Sequence, residues 1–234
     1  MLGADLCPWY LGVHILKKFL SAAALTLICA LPSAAATLNG TFTIEVRNFT
    51  DADPGADVEY ANSGATVANF LAVASDAVFT YTGNIDFGIP GSQDSNVTKI
   101  AGFLASGGGV ITDADAGELA FLAGTLLSQG TYVTTTFFKI TGTFASAVAG
   151  TITHDDGVTL VANGQTGGVS SAPTTVLNTA FSSTGGAFTL YYAAANGNPS
   201  VLKVDVSPVP VPAGGLLLIG AFGGLAALRR RRAA

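Results

Sequence analysis

The chain has 234 residues, 49% of them hydrophobic and only 11% charged, with a formal net charge of −5. Six of its ten bases, Lys17, Lys18 and Arg229 to Arg232, sit near the two ends, so residues 37 to 208 hold four bases against fourteen acids, a net charge of −10. Such a surface repels phosphate backbones, which excludes nucleic acid as a partner, and it suits cations or a hydrated matrix.

The first element in chain order is a leader. Lys17 and Lys18 precede an apolar run of thirteen residues, Phe19 to Leu31, and small residues follow at Ala34 and Ala36. That order predicts a secretory signal over residues 1–36, removed by signal peptidase after Ala36. The run falls short of the roughly 20 residues that span a bilayer. Both cysteines, Cys7 and Cys29, lie in this leader. The exported domain therefore has no disulfide, no thiol nucleophile and no thiolate ligand.

Residues 37–208 form one domain of ordinary size, large enough for a real core. Alternation at period two recurs through it. In "TFTIEVRNF", Phe42, Ile44 and Val46 share one face, and Thr43, Glu45 and Arg47 share the other. The segment Ala65 to Ser75 is the best helix candidate. Thr131 to Phe144 is β-branched and aromatic, the composition of a half-buried strand. Phe188, Leu190 and Tyr192 align on one face, as do Leu202, Val204 and Val206. Gly91–Asn96, Gly107–Gly109 and Gly164–Ser171 read as loops. The pattern predicts an all-β fold, an antiparallel β-sandwich of jelly-roll-like form. Two acidic clusters read as solvated loops. Asp51, Asp53, Asp57 and Glu59 lack the glycine and glutamate that complete an EF-hand loop, and Asp113, Asp115 and Glu118 are similar.

The most informative stretch is "ITHDDGVTLVANG". Ile152 to His154 ends one strand, Val158 to Ala162 makes the next, and Asn163-Gly164 is a hairpin signal because both residues tolerate positive φ. Local sequence alone makes Asp155-Asp156-Gly157 a turn, with Asp capping N–H groups and Gly at positive φ. His154, the one histidine of residues 37–208, reads as a strand-end side chain, since a lone His lacks a ligand set.

The wider pattern is that corner, Leu160, Asn163-Gly164, the aromatic strand with Tyr191 and Tyr192, the loop "NGNPS" and Leu202. It resembles the protective-antigen-like β-sandwich family, which includes the lectin domains of yeast flocculins. In the adhesin members two aspartates flank a cis peptide and hold Ca²⁺ with an asparagine from a second loop, and the ion holds sugar hydroxyls. The resemblance implies Asp155 and Asp156 as metal ligands, with Asn196 or Asn198 as the amide, and Ca²⁺ as cofactor. That donor set fits a cation that takes six to eight hard oxygen ligands.

The tail closes the chain. Val209-Pro210-Val211-Pro212 is barred from helix interior. The apolar segment Ala213 to Leu228 would reach about 24 Å as helix, against a hydrocarbon core of about 30 Å. Arg229, Arg230, Arg231 and Arg232 hold that end in the cytoplasm by the positive-inside rule. Val209, Pro210, Val211, Pro212 and Ala213, with the glycine-rich apolar segment and the arginines, resemble the PEP-CTERM sorting tail in its VPLPA-type variant, with Val211 where that variant has leucine. The resemblance covers residues 209–234. It implies a Gram-negative bacterium that makes exopolysaccharide, an exosortase as partner, a transient stay in the inner membrane, and a final place on the cell surface or in the extracellular matrix.

Three function classes follow. The first is an exported module that binds glycan or matrix, through Ca²⁺. The second is a structural biofilm or surface-layer component with no discrete site. The third, a hydrolase, is weakest: one histidine, no cysteine and few bases leave little for nucleophilic or oxyanion chemistry, and no catalytic residue is assigned.

Overall fold

The computed structural model describes residues 34–50, 63–89 and 97–209. Residues 1–33, Pro210 to Ala234, the acidic stretch from Asp51 to Glu59 and the Gly91–Asn96 segment lie outside these. Ala35–Val209 make one compact unit.

All strand pairs among the described residues are antiparallel, as the period-two pattern requires. One sheet runs in the order β1 (Ala36–Thr37), β13 (Ser200–Pro208), β8 (Val148–Asp155), β11 (Leu177–Ser183). The free edge of β13 is shared: β1 pairs with Asp205 and Val206, and β4 (Asp86–Ile89) pairs with Ser200 to Lys203. The other sheet runs β10 (Gln165–Ser170), β9 (Gly157–Ala162), β12 (Gly186–Ala194), β7 (Thr134–Phe144), β2 (Asn39–Thr50), β3 (Ala77–Asn84), β5 (Val110–Thr112), with β6 (Ser128–Gln129) also on β7. Phe42, Ile44 and Val46 of β2, Val158 and Leu160 of β9, Leu190 and Tyr192 of β12, and Leu202 and Val204 of β13 are all buried in one core. The alternation read from the sequence is therefore the inward face of each strand.

Among the described residues, three α-helices lie against the sheets. α1 (Val67–Ala72) falls within the predicted Ala65–Ser75 segment and is capped by Thr66, whose hydroxyl accepts the Asn69 N–H at 3.0 Å. It covers the outer face of the second sheet, with Phe70 packed against Phe137 and Ala193. This cover explains why β7 is buried without a break from Thr134 to Phe138. α2 (Ile100–Ser106) and α3 (Ala116–Gly124) were not expected. α2 puts Ile100, Phe103 and Leu104 into the main core.

Two expectations are corrected. Asp115 and Glu118 are not in a solvated loop: they form a capping box at the start of α3, each accepting the other's backbone N–H at 2.8 Å. A second Glu118 oxygen accepts the Val78 N–H at 2.8 Å. The Asp-x-x-Glu spacing was a helix-start signal. Gly164–Ser171 is likewise not a loop, because Gln165–Ser170 pairs with β9 through a register shift between Thr166 and Gly168. Gly168, which reads as a loop residue, permits close approach: a Cβ there would lie 3.3 Å from the Phe181 Cβ in the facing sheet. The Asn163-Gly164 hairpin is present, with φ of 50° and 73°.

Candidate functional site

Asp155 ends β8 and Gly157 begins β9. Those strands belong to different sheets. The Asp155-Asp156-Gly157 connection is therefore a corner between sheets, and the simple turn is corrected. Gly157 does not need positive φ; it needs space, since a Cβ there would sit 2.1 Å from the Ser171 carbonyl oxygen. That oxygen accepts the Ala65 N–H at 2.7 Å, and the close contact brings Thr174 and Thr175 beside the corner. The Asp155–Asp156 peptide is cis, as is Asn198–Pro199.

Both aspartates are buried, with 5% and 2% of their surface exposed. Asp156 is tied on every side. Its Oδ1 accepts the Thr174 N–H at 3.2 Å, and its Oδ2 accepts the Ala195 N–H at 2.7 Å. Its own N–H donates to the Ala193 carbonyl at 3.2 Å. The carboxyl of Asp155 lies against that of Asp156, and its backbone carbonyl accepts the Tyr192 hydroxyl at 2.5 Å.

The second loop, Ala195 to Pro199, also crosses between sheets, from β12 to β13. Asn196 and Gly197 turn it with φ of 57° and 89°. The Gly197 carbonyl accepts the hydroxyls of Ser128 and Ser200, both at 3.1 Å. Asp155, Asp156, Thr174, Thr175 and the Ala195–Pro199 loop line one half-open cavity of about 110 Å³. The four residues expected as metal ligands, Asp155, Asp156, Asn196 and Asn198, thus line a single space. Asn198 makes other interactions, while its Oδ1 is a buried oxygen that receives no hydrogen bond.

Burial governs the electrostatics. It raises the Asp155 carboxyl from 3.8 to about 6 and the Asp156 carboxyl to about 8, where the neighbouring Asp155 charge adds to the rise and the Ala195 N–H opposes it. No ion pair among the described residues includes either aspartate. Two adjacent buried carboxyls without a cationic side chain call for protons or for a bound cation.

His154 is buried at 0% exposure and does not line the cavity. Its Nδ1 lies 2.5 Å from the Asp156 carbonyl and its Nε2 lies 2.8 Å from the Thr179 hydroxyl. A carbonyl only accepts, so Nδ1 carries the proton and Nε2 accepts from Thr179. Burial lowers its pKa and keeps the ring neutral. It is a brace beneath the corner, in keeping with its reading as a strand-end side chain.

Thr174, Thr175, the Ala195 amide and Tyr192's contact with Asp155 were not identified from sequence. Thr174 reaches Asp156 across 18 positions and Tyr192 reaches Asp155 across 37, and no local spacing encodes such contacts. Of the other sequence sites, Ala36 lies in β1 and Val209 donates its N–H to the Ala147 carbonyl at 3.0 Å. Pro210, Val211, Pro212, Ala213 and the four arginines lie outside the described residues. Among the described residues, no three His, Cys, Asp or Glu side chains converge and no helix is long and apolar enough to cross a membrane.

No family model and no curated protein matches the chain. Among solved structures it is similar to the PA14 sugar-binding domain from an RTX adhesin, at 19% identity over 72% of this chain and 90% of that one, with a TM-score of 0.49. It is also similar to the PA14 domain of the antifreeze protein MpAFP, at 16% identity over 75% and 90% of the two chains, with a TM-score of 0.46.

Proposed function

We propose that this chain is an exported surface or matrix protein whose β-sandwich binds glycan at the Asp155–Asp156 corner through Ca²⁺. The observation that carries the reading is the meeting of two buried carboxyls and the Asn196–Asn198 loop around one cavity, with no cationic partner among the described residues. The donor set is all oxygen, as Ca²⁺ requires. Asp155 and Asp156 would supply the charge, and Asn196 or Asn198 the amide oxygen. When bound, the ion supplies a hard centre whose open coordination positions take up hydroxyl oxygens. Thr174 and Ala195 hold Asp156 in place from two other loops, so the chain presents its oxygens already oriented.

Thermal unfolding of the full chain in calcium and in chelator, beside Asp155→Ala/Asp156→Ala, tests the metal. Calcium at about 100 times its Kd adds about 2.7 kcal/mol to a specific site, and the double variant should gain none of it. A glycan array probed with and without chelator then tests the ligand.

The cavity is smaller than the roughly 300 Å³ at which small-molecule sites begin. That size favours the second reading, a structural biofilm or surface-layer component, which stands if neither calcium nor glycan has an effect. The sorting part of the proposal rests on the tail residues Val209 to Ala213 and Arg229 to Arg232. Intact mass of the protein recovered from the cell surface tests it, by loss of residues 1–36 and of the apolar segment with its arginines.

A further inference from the structure

Two tyrosines stand at the ends of a row of aromatic rings in the core. Tyr81 packs edge-on to Phe87 at 5.2 Å, Phe87 meets Phe103 at 5.4 Å, and Phe103 stacks on Tyr192 at 5.7 Å with 13° between planes. Both tyrosines are buried, so each hydroxyl needs a partner inside the protein. The Tyr81 hydroxyl donates to the Asn84 carbonyl at 3.1 Å and accepts the Gly109 N–H at 3.1 Å, which ties the end of β3 to the residue before β5.

The Tyr192 hydroxyl does something different. It donates to the Asp155 carbonyl at 2.5 Å, and the Ser200 hydroxyl and Val201 N–H lie beside the Tyr192 oxygen. Asp155 and Val201 are themselves paired across β8 and β13. Tyr192 belongs to the opposite sheet, paired there with Phe138 and Val158. One oxygen thus joins the two sheets at the point where β8 leaves for the corner and the Ala195–Pro199 loop enters β13.

We infer that Tyr192 is the positioning residue of the Asp155–Asp156 corner: its hydroxyl, not its ring, fixes the Asp155 peptide and through it the mutual placement of both carboxyls and the second loop. A phenylalanine would fill the same ring space and leave the Asp155 carbonyl buried without that donor. The consequence for calcium affinity rests on the reading proposed above; the consequence for the corner's order does not.

The test compares Tyr192→Phe with Tyr81→Phe in the full chain. Each deletes one oxygen from a buried tyrosine in the same row of rings. In chelator, backbone hydrogen exchange is followed at Asp156, Thr174 and Ala195, whose N–H groups bond at the corner, and at Gly109. Tyr192→Phe is expected to lower protection about tenfold at the three corner amides beyond any global loss, and Tyr81→Phe at Gly109 alone. Calcium titration of the same proteins should show about 10- to 100-fold weaker binding for Tyr192→Phe and unchanged binding for Tyr81→Phe. The inference is overturned if the corner amides keep wild-type protection in Tyr192→Phe, or lose it equally in Tyr81→Phe. If the wild type takes no calcium while the corner amides respond selectively, the calcium reading falls and the positioning role stands. Should Tyr192→Phe not fold, 4-aminophenylalanine at position 192, which keeps a donor there, should restore folding and corner protection, and failure to restore them overturns the inference.

Discussion

Gly157 lies directly beneath the Ser171 carbonyl, so close that a Cβ would stand 2.1 Å from that oxygen. This contact puts Thr174 within reach of Asp156. Gly157→Ala must push the Ser171 backbone away, and backbone yields less than a side chain. Overpacking of this kind costs about 1–3 kcal/mol. Denaturant unfolding should show that loss, and calcium titration should show weaker binding as Thr174 leaves the Asp156 carboxyl. Wild-type values in both would mean that the Ser171–Thr175 segment moves freely and plays no part in the site.

Metal-free stability should depend on pH through the aspartate pair. Burial raises both carboxyls, from 3.8 to about 6 and about 8. Between about pH 4 and pH 8 the folded chain therefore holds protons that the unfolded chain has released, and stability falls as pH rises through that window. Below it the contribution is fully present. Unfolding in urea and chelator at several pH values should show this slope in the wild type and its loss in Asp155→Asn/Asp156→Asn. Saturating calcium should flatten or reverse it, because the ion binds the deprotonated pair. Equal slopes in the wild type and the double variant would sink the assignment.

Arg47 secures α1 to the sheet. One of its nitrogens donates to the carbonyls of Phe70, at 3.1 Å, and Val73. Another meets Glu45 at 2.6 Å, and the guanidinium lies 4.3 Å from the Phe70 ring centre. Glu45 also pairs with Lys139 at 3.3 Å. Arg47→Ala should cost about 2–3 kcal/mol, since it removes charge-assisted hydrogen bonds as well as packing. Arg47→Lys should recover only part of this, as lysine lacks the planar fork. Hydrogen exchange should place the lost protection in α1; a loss spread evenly over both sheets would contradict the clasp.

Asp115→Ala removes one half of the capping box on α3. The expected cost is about 1 kcal/mol, read as a lower urea midpoint at unchanged slope. Because Glu118 also accepts the Val78 N–H, Glu118→Ala should cost more than Asp115→Ala. The reverse order would mean that the Glu118–Val78 bond adds nothing to the cap.

Much of the sandwich was legible in short windows. Phe42, Ile44 and Val46, then Val158, Leu160 and Ala162, then Leu202 and Val204, are buried as their spacing required, because a strand's side chains alternate whatever it pairs with. The Asn163-Gly164 hairpin was readable for the same reason: positive φ is a local cost that few residues meet. α2 and α3 carry little local signal because they are short and mostly apolar, and the Asp115–Glu118 box alone marks one of them.

The sequence by itself determined which residues face inward, where the chain reverses, and that two adjacent acids close a strand. It also determined the charge of the domain and the composition of its two ends. Only the tertiary structure decided that β8 and β9 lie in different sheets, and so made Asp155-Asp156-Gly157 a corner instead of a hairpin turn. It alone joined that corner to Thr174, to the Ala195–Pro199 loop and to Tyr192. The physical reason is range. Side-chain alternation and turn conformation depend on neighbours a few residues away. The burial that raises the two carboxyls depends on segments up to 39 positions distant, which meet only when both sheets have closed.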